Sequence, residues 1–316
     1  MAVWRALLPM LAVAATAGSA FGAPLAMIDS VDAIPANAIV IDTRAEEACA
    51  KASPASTAGP ARCLSVASVT GAGQRLASFR DIVWRLGTLG LDGSEPVLVV
   101  GDRQGDRDAI AALLHFAGQA EVVVWAKPID ALEGSAIDSG RTADMARPVV
   151  YTAAMRDAGL VLRDELAMEL SAGGTLVLDG RSEAEYWGER IRTVRGGHIA
   201  GAQSLPAVRL RAGDPVTVPA GTVPVVYGHG AIDGLAYWTL VAAAGVEARL
   251  YLDGFANWAD STLPIEAAVY PQTSQDAAPS PSPLASGPVG AAALIGALVG
   301  ALGTAAAFTF GRKRRA

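Results

Sequence analysis

Apolar and polar positions along the middle of the chain fall into short blocks of two kinds. Runs rich in β-branched residues occur at 39–41, 97–100 and 121–124, and again at 175–178, 223–227 and 248–252. Between them lie segments with helical spacing, at 79–86 and 109–117 in the first half and at 182–187, 235–244 and 255–259 in the second. Strands covered on both faces read as continuous apolar runs, and their alternation with helices predicts parallel sheets flanked by helices. The order of elements repeats. The expectation is therefore an α/β chain with two tandem copies of one unit, over residues 28–145 and 155–266.

Both ends depart from this pattern. Residues 1–23 carry one charge at Arg5, then an apolar run and small residues up to Ala23, the layout of a secretory signal peptide. The apolar run is shorter than the roughly 20 residues needed to cross a bilayer core. Cleavage after Ala20, Gly22 or Ala23 fits equally. Residues 288–310 hold no charge and stop at Arg312, Lys313, Arg314 and Arg315. That predicts one C-terminal transmembrane helix with the basic tail, 311–316, on the cytoplasmic side. Pro271, Pro279, Pro281 and Pro283 mark 270–287 as an extended Pro/Ser-rich linker. The implied location is the inner membrane, single-pass, with the bulk of the chain periplasmic.

Charge and cysteine content add to this picture. Between residues 24 and 287 stand 20 bases against 31 acids, a net charge of −11, which argues against nucleic acid as a partner. Cys49 and Cys63 are the two cysteines. In an oxidising compartment a disulfide is the first reading, with a free thiol as the other. A two-cysteine metal site needs nearby histidines, and His115, His198 and His229 show no ligand spacing, so neither metal nor cofactor is expected.

Motifs carry the reading further. Asp179-Gly180-Arg181, Glu185-Tyr186, Gly188, the GHIAGA run at 197–202, Leu205-Pro206 and YLDGFANW at 251–258 together resemble the rhodanese family across 155–266. The first half is a more diverged copy, with Ile41-Asp42-Thr43-Arg44 at its opening and residues 59–64 where the histidine-glycine motif belongs. The resemblance implies sulfur carried on a cysteine between a strand and a helix N-terminus, commonly Cys-x-x-Gly-x-Arg. Loop N–H groups and the helix dipole favour a thiolate there.

That cysteine is absent from both loops. In the second half its position falls on Gly228, followed by His229, Gly230, Ala231 and Asp233. In the first half the motif points to Asp102, with Gly105 and Arg107 retained, whereas counting back from Gly118 points to Gly101. The motif favours Asp102. Without a thiol, covalent sulfur transfer by the family mechanism is not expected. What remains is either a pair of plain turns or anion-binding loops, to which Arg107 would add a fixed charge and His229 an acid, base or ligand. His198 reads as structural, Asp179 and Arg181 as a turn-fixing pair, and Glu189, Arg190, Arg192 and Arg195 as a solvated face. Tyr227 and Trp238 read as core or as the mouth of the loop. The functional expectation is a non-catalytic, membrane-anchored module that binds an envelope protein partner or a small sulfur anion. The alternative is a sulfurtransferase that uses Cys63 or a partner's cysteine.

Overall fold

The protein is described by a computed structural model over residues 25–72, 75–132, 136–143 and 146–267. The expected signal peptide, linker, transmembrane helix and basic tail lie outside these residues. Among the described residues no helix is long and apolar enough to cross a membrane.

The first repeat comprises β1 (Ala26–Ile28), β2 (Ile39–Asp42), α1 (Glu46–Lys51), β3 (Ser53–Ala55), β4 (Arg62–Cys63), α2 (Phe79–Thr88), β5 (Pro96–Val100), α3 (Gln104–Ala117), β6 (Glu121–Trp125) and β7 (Ala136–Asp138). The second comprises β8 (Leu160–Val161), α4 (Arg163–Ala172), β9 (Val177–Asp179), α5 (Glu183–Tyr186), β10 (His198–Ile199), β11 (Gln203–Ser204), α6 (Ala207–Arg211), β12 (Val225–Tyr227), α7 (Ala231–Ala243), β13 (Arg249–Tyr251), α8 (Gly254–Ala259) and β14 (Ile265–Glu266). Each builds a parallel five-stranded sheet, in the orders β1-β6-β5-β2-β4 and β8-β13-β12-β9-β11. Each also closes with a small antiparallel pair, β3 with β7 and β10 with β14. Every strand of one repeat thus has its counterpart in the other.

The strands follow from their residues. β2, IVID, is buried throughout and β5, PVLVV, in its last four positions, as the apolar runs require. Helix α3 begins at Gln104, ahead of the apolar run that predicts it at 109–117, because its polar first turn lies in the loop region. It ends at Gly118, whose φ of 102° is the left-handed cap that glycine adopts without penalty.

Register within the sheets corrects one sequence alignment. Ser53 faces Asp138 in the first repeat, as His198 faces Glu266 in the second. The counterpart of the histidine is therefore Ser53, ahead of residues 59–64. Four extra residues turn tightly between Ser56 and Gly59 before the chain rejoins the shared path at β4.

The repeats meet through α3 and α7 in a single compact unit. Thr239 Oγ1 donates to the Asp108 carbonyl at 2.7 Å, and His115 lies against the Trp238 ring with centroids 4.7 Å apart. One apolar core runs through the seam, including Leu86, Val99 and Leu114 of the first repeat and Val226, Leu235 and Leu250 of the second. Apolar burial of this kind contributes roughly 25 cal/mol per Å².

Candidate functional site

Two strand-to-helix loops open into a shared cleft of about 1840 Å³. The Thr43 N–H donates to the Val100 carbonyl at 2.9 Å, and the Gly180 N–H donates to the Tyr227 carbonyl at 3.0 Å. Val100 and Tyr227 are thereby equivalent, and the helices begin four residues later, at Gln104 and Ala231. Gly101 is therefore the counterpart of Gly228. The motif-based choice of Asp102 is corrected: Asp102 pairs with His229, Arg103 with Gly230, and Asp106 with Asp233. The shared feature of the loops is a leading glycine with an aspartate in the first helical turn.

Neither glycine has room for a side chain. A Cβ on Gly101 would stand 2.1 Å from Thr43 Oγ1. One on Gly228 would stand 2.5 Å from the Asp233 carbonyl carbon and 2.9 Å from its Cβ. The space a nucleophile would need is filled by the chain itself.

Different elements hold the two loops. Arg107, 2% exposed, donates to the Gly101 carbonyl at 2.5 Å and to the Ala126 carbonyl at 3.2 Å. Its guanidinium ties the loop to the end of β6 and is not among the residues lining the cleft, which corrects its expected role as an anion-binding charge. In the second loop the carbonyls of Gly228 and His229 accept from the N–H groups of Phe255 and Ala256, at 3.0 and 2.8 Å. Gly105 lines the cleft in the first loop, and Gly230 caps α7 in the second.

His229 is half-buried, with Nδ1 3.9 Å from Glu185 Oε1 and no hydrogen-bond partner for that nitrogen among the described residues. Burial, with the Arg192 charge, holds its pKa below the ordinary histidine value. Glu185 in turn accepts from Arg192 at 3.1 Å and from Ser182 Oγ at 2.8 Å. Arg192 belongs to this chain of contacts, and Arg195 is drawn inward, so the expected solvated face is only partly one.

The framing motifs are structural. Arg181 donates to both oxygens of Asp179 and to the Gly197 carbonyl, and its guanidinium lies 3.7 Å from the centre of the Phe255 ring. In the first repeat Arg44 does the same to Asp42 and to the Ala52 carbonyl. His198, 3% exposed, stacks on Tyr186 at 3.7 Å and bonds the Tyr186 carbonyl through Nδ1. Tyr227 and Trp238 are core residues: Tyr227 donates to Asp179 at 2.5 Å and Trp238 to the Ala248 carbonyl at 2.8 Å. The aromatics lining the cleft are Phe79, Phe116 and Tyr237, and sequence reading passed over Tyr237 because it sits inside an almost wholly apolar helix.

Cys49 and Cys63 are bonded to each other, with 5.7 Å between their Cα atoms, and are 0% and 1% exposed. The reading that required Cys63 free and exposed is corrected by this. No group of metal-ligating side chains occurs among the described residues.

Comparison with known proteins agrees with this fold. Residues 162–261 match the rhodanese-like domain family. No curated protein matches the sequence. Among solved structures, a probable thiosulfate sulfurtransferase is similar at 23% identity and a TM-score of 0.53, covering 74% of this chain and 99% of its own. The Tum1 protein of Saccharomyces cerevisiae is similar at 15% identity and a TM-score of 0.61, covering 75% and 94%. The 3-mercaptopyruvate sulfurtransferase of Leishmania major is similar at 18% identity and a TM-score of 0.53, covering 73% of each. These likenesses concern the fold alone. With the framing pairs at Asp42-Arg44 and Asp179-Arg181 and two sheets of one topology, the second repeat holds a rhodanese-like domain over residues 162–261 and the first repeat shares its fold.

Proposed function

We propose that this chain is a non-catalytic rhodanese-like protein that binds a ligand in the cleft between its repeats. The observation that carries the reading is the pair of closed loops. Gly101 and Gly228 stand where a sulfur-carrying residue is expected, and the surrounding chain leaves no space for one. Persulfide chemistry needs a thiolate in that place. The chain's two cysteines are buried and bonded elsewhere.

The proposed setting is the periplasmic face of the inner membrane. The signal-like residues 1–23, the charge-free segment 288–310 and the basic residues after it support this placement. A buried disulfide also suits an oxidising compartment. The ligand classes in view are a partner polypeptide and a small sulfur oxyanion.

The test is thiocyanate formation from thiosulfate and cyanide by the full-length protein in detergent. No turnover is expected, and none from Gly228→Cys, whose side chain would collide with Asp233. Adding Thr43→Gly to Gly101→Cys opens the other loop and is the variant with the best chance of gaining turnover. Activity in the unmodified protein would overturn the proposal.

A further inference from the structure

The loop between α5 and β10, residues 187–197, presents its side chains in the reverse of the order expected for a solvated loop. Two of its three arginines turn to the body: Arg192 donates to Glu185 at 3.1 Å, and Arg195 to the carbonyls of Trp258, Ala259 and Leu263. Its apolar side chains face out, with Val194 75% exposed, Ile191 61% and Trp187 44%. Hydrogen bonds pin the backbone in that arrangement. The Arg190 N–H donates to the Ala184 carbonyl at 2.8 Å, and Thr193 Oγ1 to the Arg195 carbonyl at 2.6 Å. Single exposed apolar residues are ordinary, whereas three on one pinned loop mark a surface that is covered in use.

The position of the loop points to what covers it. A Cβ on Gly188 would stand 3.4 Å from Ala267 Cβ, where the described chain ends. One on Gly196 would stand 2.7 Å from Ile191 Cγ1 and 3.4 Å from Gly188 Cα. The outward apolar side chains therefore lie where the chain leaves the body. From there, 20 residues lead to the charge-free segment that begins at 288. A flexible linker of that length spans about 25 Å, and a fully extended Pro-rich one about 60 Å, so a bilayer holding that segment lies within reach of the loop.

The residue types suit a lipid surface. Tryptophan favours the boundary between headgroups and acyl chains because its ring is apolar and its N–H polar, and a neighbouring arginine can keep its charge in water while its stem lies in the apolar layer. Exposed Arg190 supplies such a cation between Trp187 and Ile191. With a net charge of −11 between residues 24 and 287, the attraction comes from apolar insertion and not from charge.

We infer that Trp187, Ile191 and Val194 enter the headgroup boundary of the bilayer to which the chain is tethered, and hold the edge of the cleft at Arg192 beside the lipid. Docking of this kind requires the membrane placement proposed above and adds to it the surface that meets the membrane.

The experiment uses the full-length protein reconstituted into zwitterionic vesicles whose acyl chains are brominated near the headgroup, which quench tryptophans that reach them. Segment 288–310 contains no tryptophan of its own. Bromination should lower the tryptophan emission, and Trp187→Phe should remove at least half of that loss, since a phenyl ring keeps the contacts with Tyr186 and His198. Trp84→Phe, which removes a 52% exposed tryptophan on α2, should leave the loss unchanged. Ile191→Ser with Val194→Ser should cut the quenching of Trp187 roughly threefold without lowering Tm. Met168→Ser with Val208→Ser, at equally exposed positions on α4 and α6, should leave it within error.

A Trp187 that bromination does not quench overturns the inference. If acrylamide in the water cannot reach it in the same vesicles, the loop is covered by its own linker or by a second copy, and if acrylamide reaches it the loop is solvated. Equal loss of quenching in the two serine pairs overturns the inference as well. Protein that a carbonate wash releases from the vesicles would instead overturn the membrane placement beneath it.

Discussion

Arg195 stands in a stretch with four charges in seven residues, which reads as solvated surface. Its guanidinium instead reaches the carbonyls of Trp258, Ala259, Ser261 and Leu263, closing the end of α8 and the turn that follows it. Hydrogen bonds from a charged donor contribute about 1.5–3 kcal/mol, and unpaired carbonyls at a helix end cost free energy. Arg195→Ala is expected to lower unfolding stability in urea by about 2–3 kcal/mol. Arg195→Lys should recover little of it, because an ammonium cannot span several acceptors as a planar fork does. A loss below the error of the urea midpoint would show that water replaces these bonds. Nothing in the sequence separates Arg195 from Arg190 or Arg192, since the distinction depends on carbonyls more than sixty residues away. Asp233 was likewise legible as a departure from the family pattern, but its filling of the space above Gly228 was not.

At the scale of elements, the long β-branched runs and apolar helices were readable because their burial is written into composition: β5, β6, β12, α3 and α7 all fall where the pattern places them. The two-residue strands β4, β8, β10, β11 and β14 carry too little pattern to be seen, and tertiary pairing alone defines them. The two repeats fasten one such region differently. In the second, Tyr186 on α5 and His198 on β10 stack face to face. In the first, Cys49 on α1 takes the place of Tyr186, Ser53 takes that of His198, and Cys49 bonds Cys63 on β4. Gly140 packs over both sulfurs, where a Cβ would stand 2.4 and 2.7 Å from them. Joining residues 14 apart constrains the unfolded chain by about 3 kcal/mol in the loop-entropy account. Replacing Cys49 with Ala and Cys63 with Ser should cost roughly that amount in urea. An alkylating reagent should label neither cysteine in the native, unreduced protein. Labelling without reductant would show the bond to be absent and return Cys63 to the list of nucleophiles.

At the scale of the folded body, the seam between the repeats holds two buried titratable groups, Asp108 and His115. Asp108 is 0% exposed and faces Arg211 of α6 across the seam at 3.3 Å, with Arg107 beside it on its own helix. Burial outweighs both cations and raises its pKa from 3.8 to about 6. A carboxyl whose folded value is raised stabilises the fold below its unfolded pKa, and that contribution is lost as pH rises from about 4 to 6. His115, also in the seam, acts in the opposite sense. Burial, with Arg156, lowers its pKa to about 4, so its contribution is full above 6.5 and lost as pH falls towards 4. Profiles of the unmodified protein therefore sum two opposed trends, and a variant is needed to separate them. Asp108→Asn keeps the shape of the side chain and removes its charge. It is expected to raise stability by about 2 kcal/mol at pH 7.5 and to change it little at pH 4, with the difference developing between pH 4 and 6. Thermal unfolding across that range measures it. A lower Tm for the variant at pH 7.5 would mean that the Arg211 pair stabilises the seam more than burial of the carboxylate costs it.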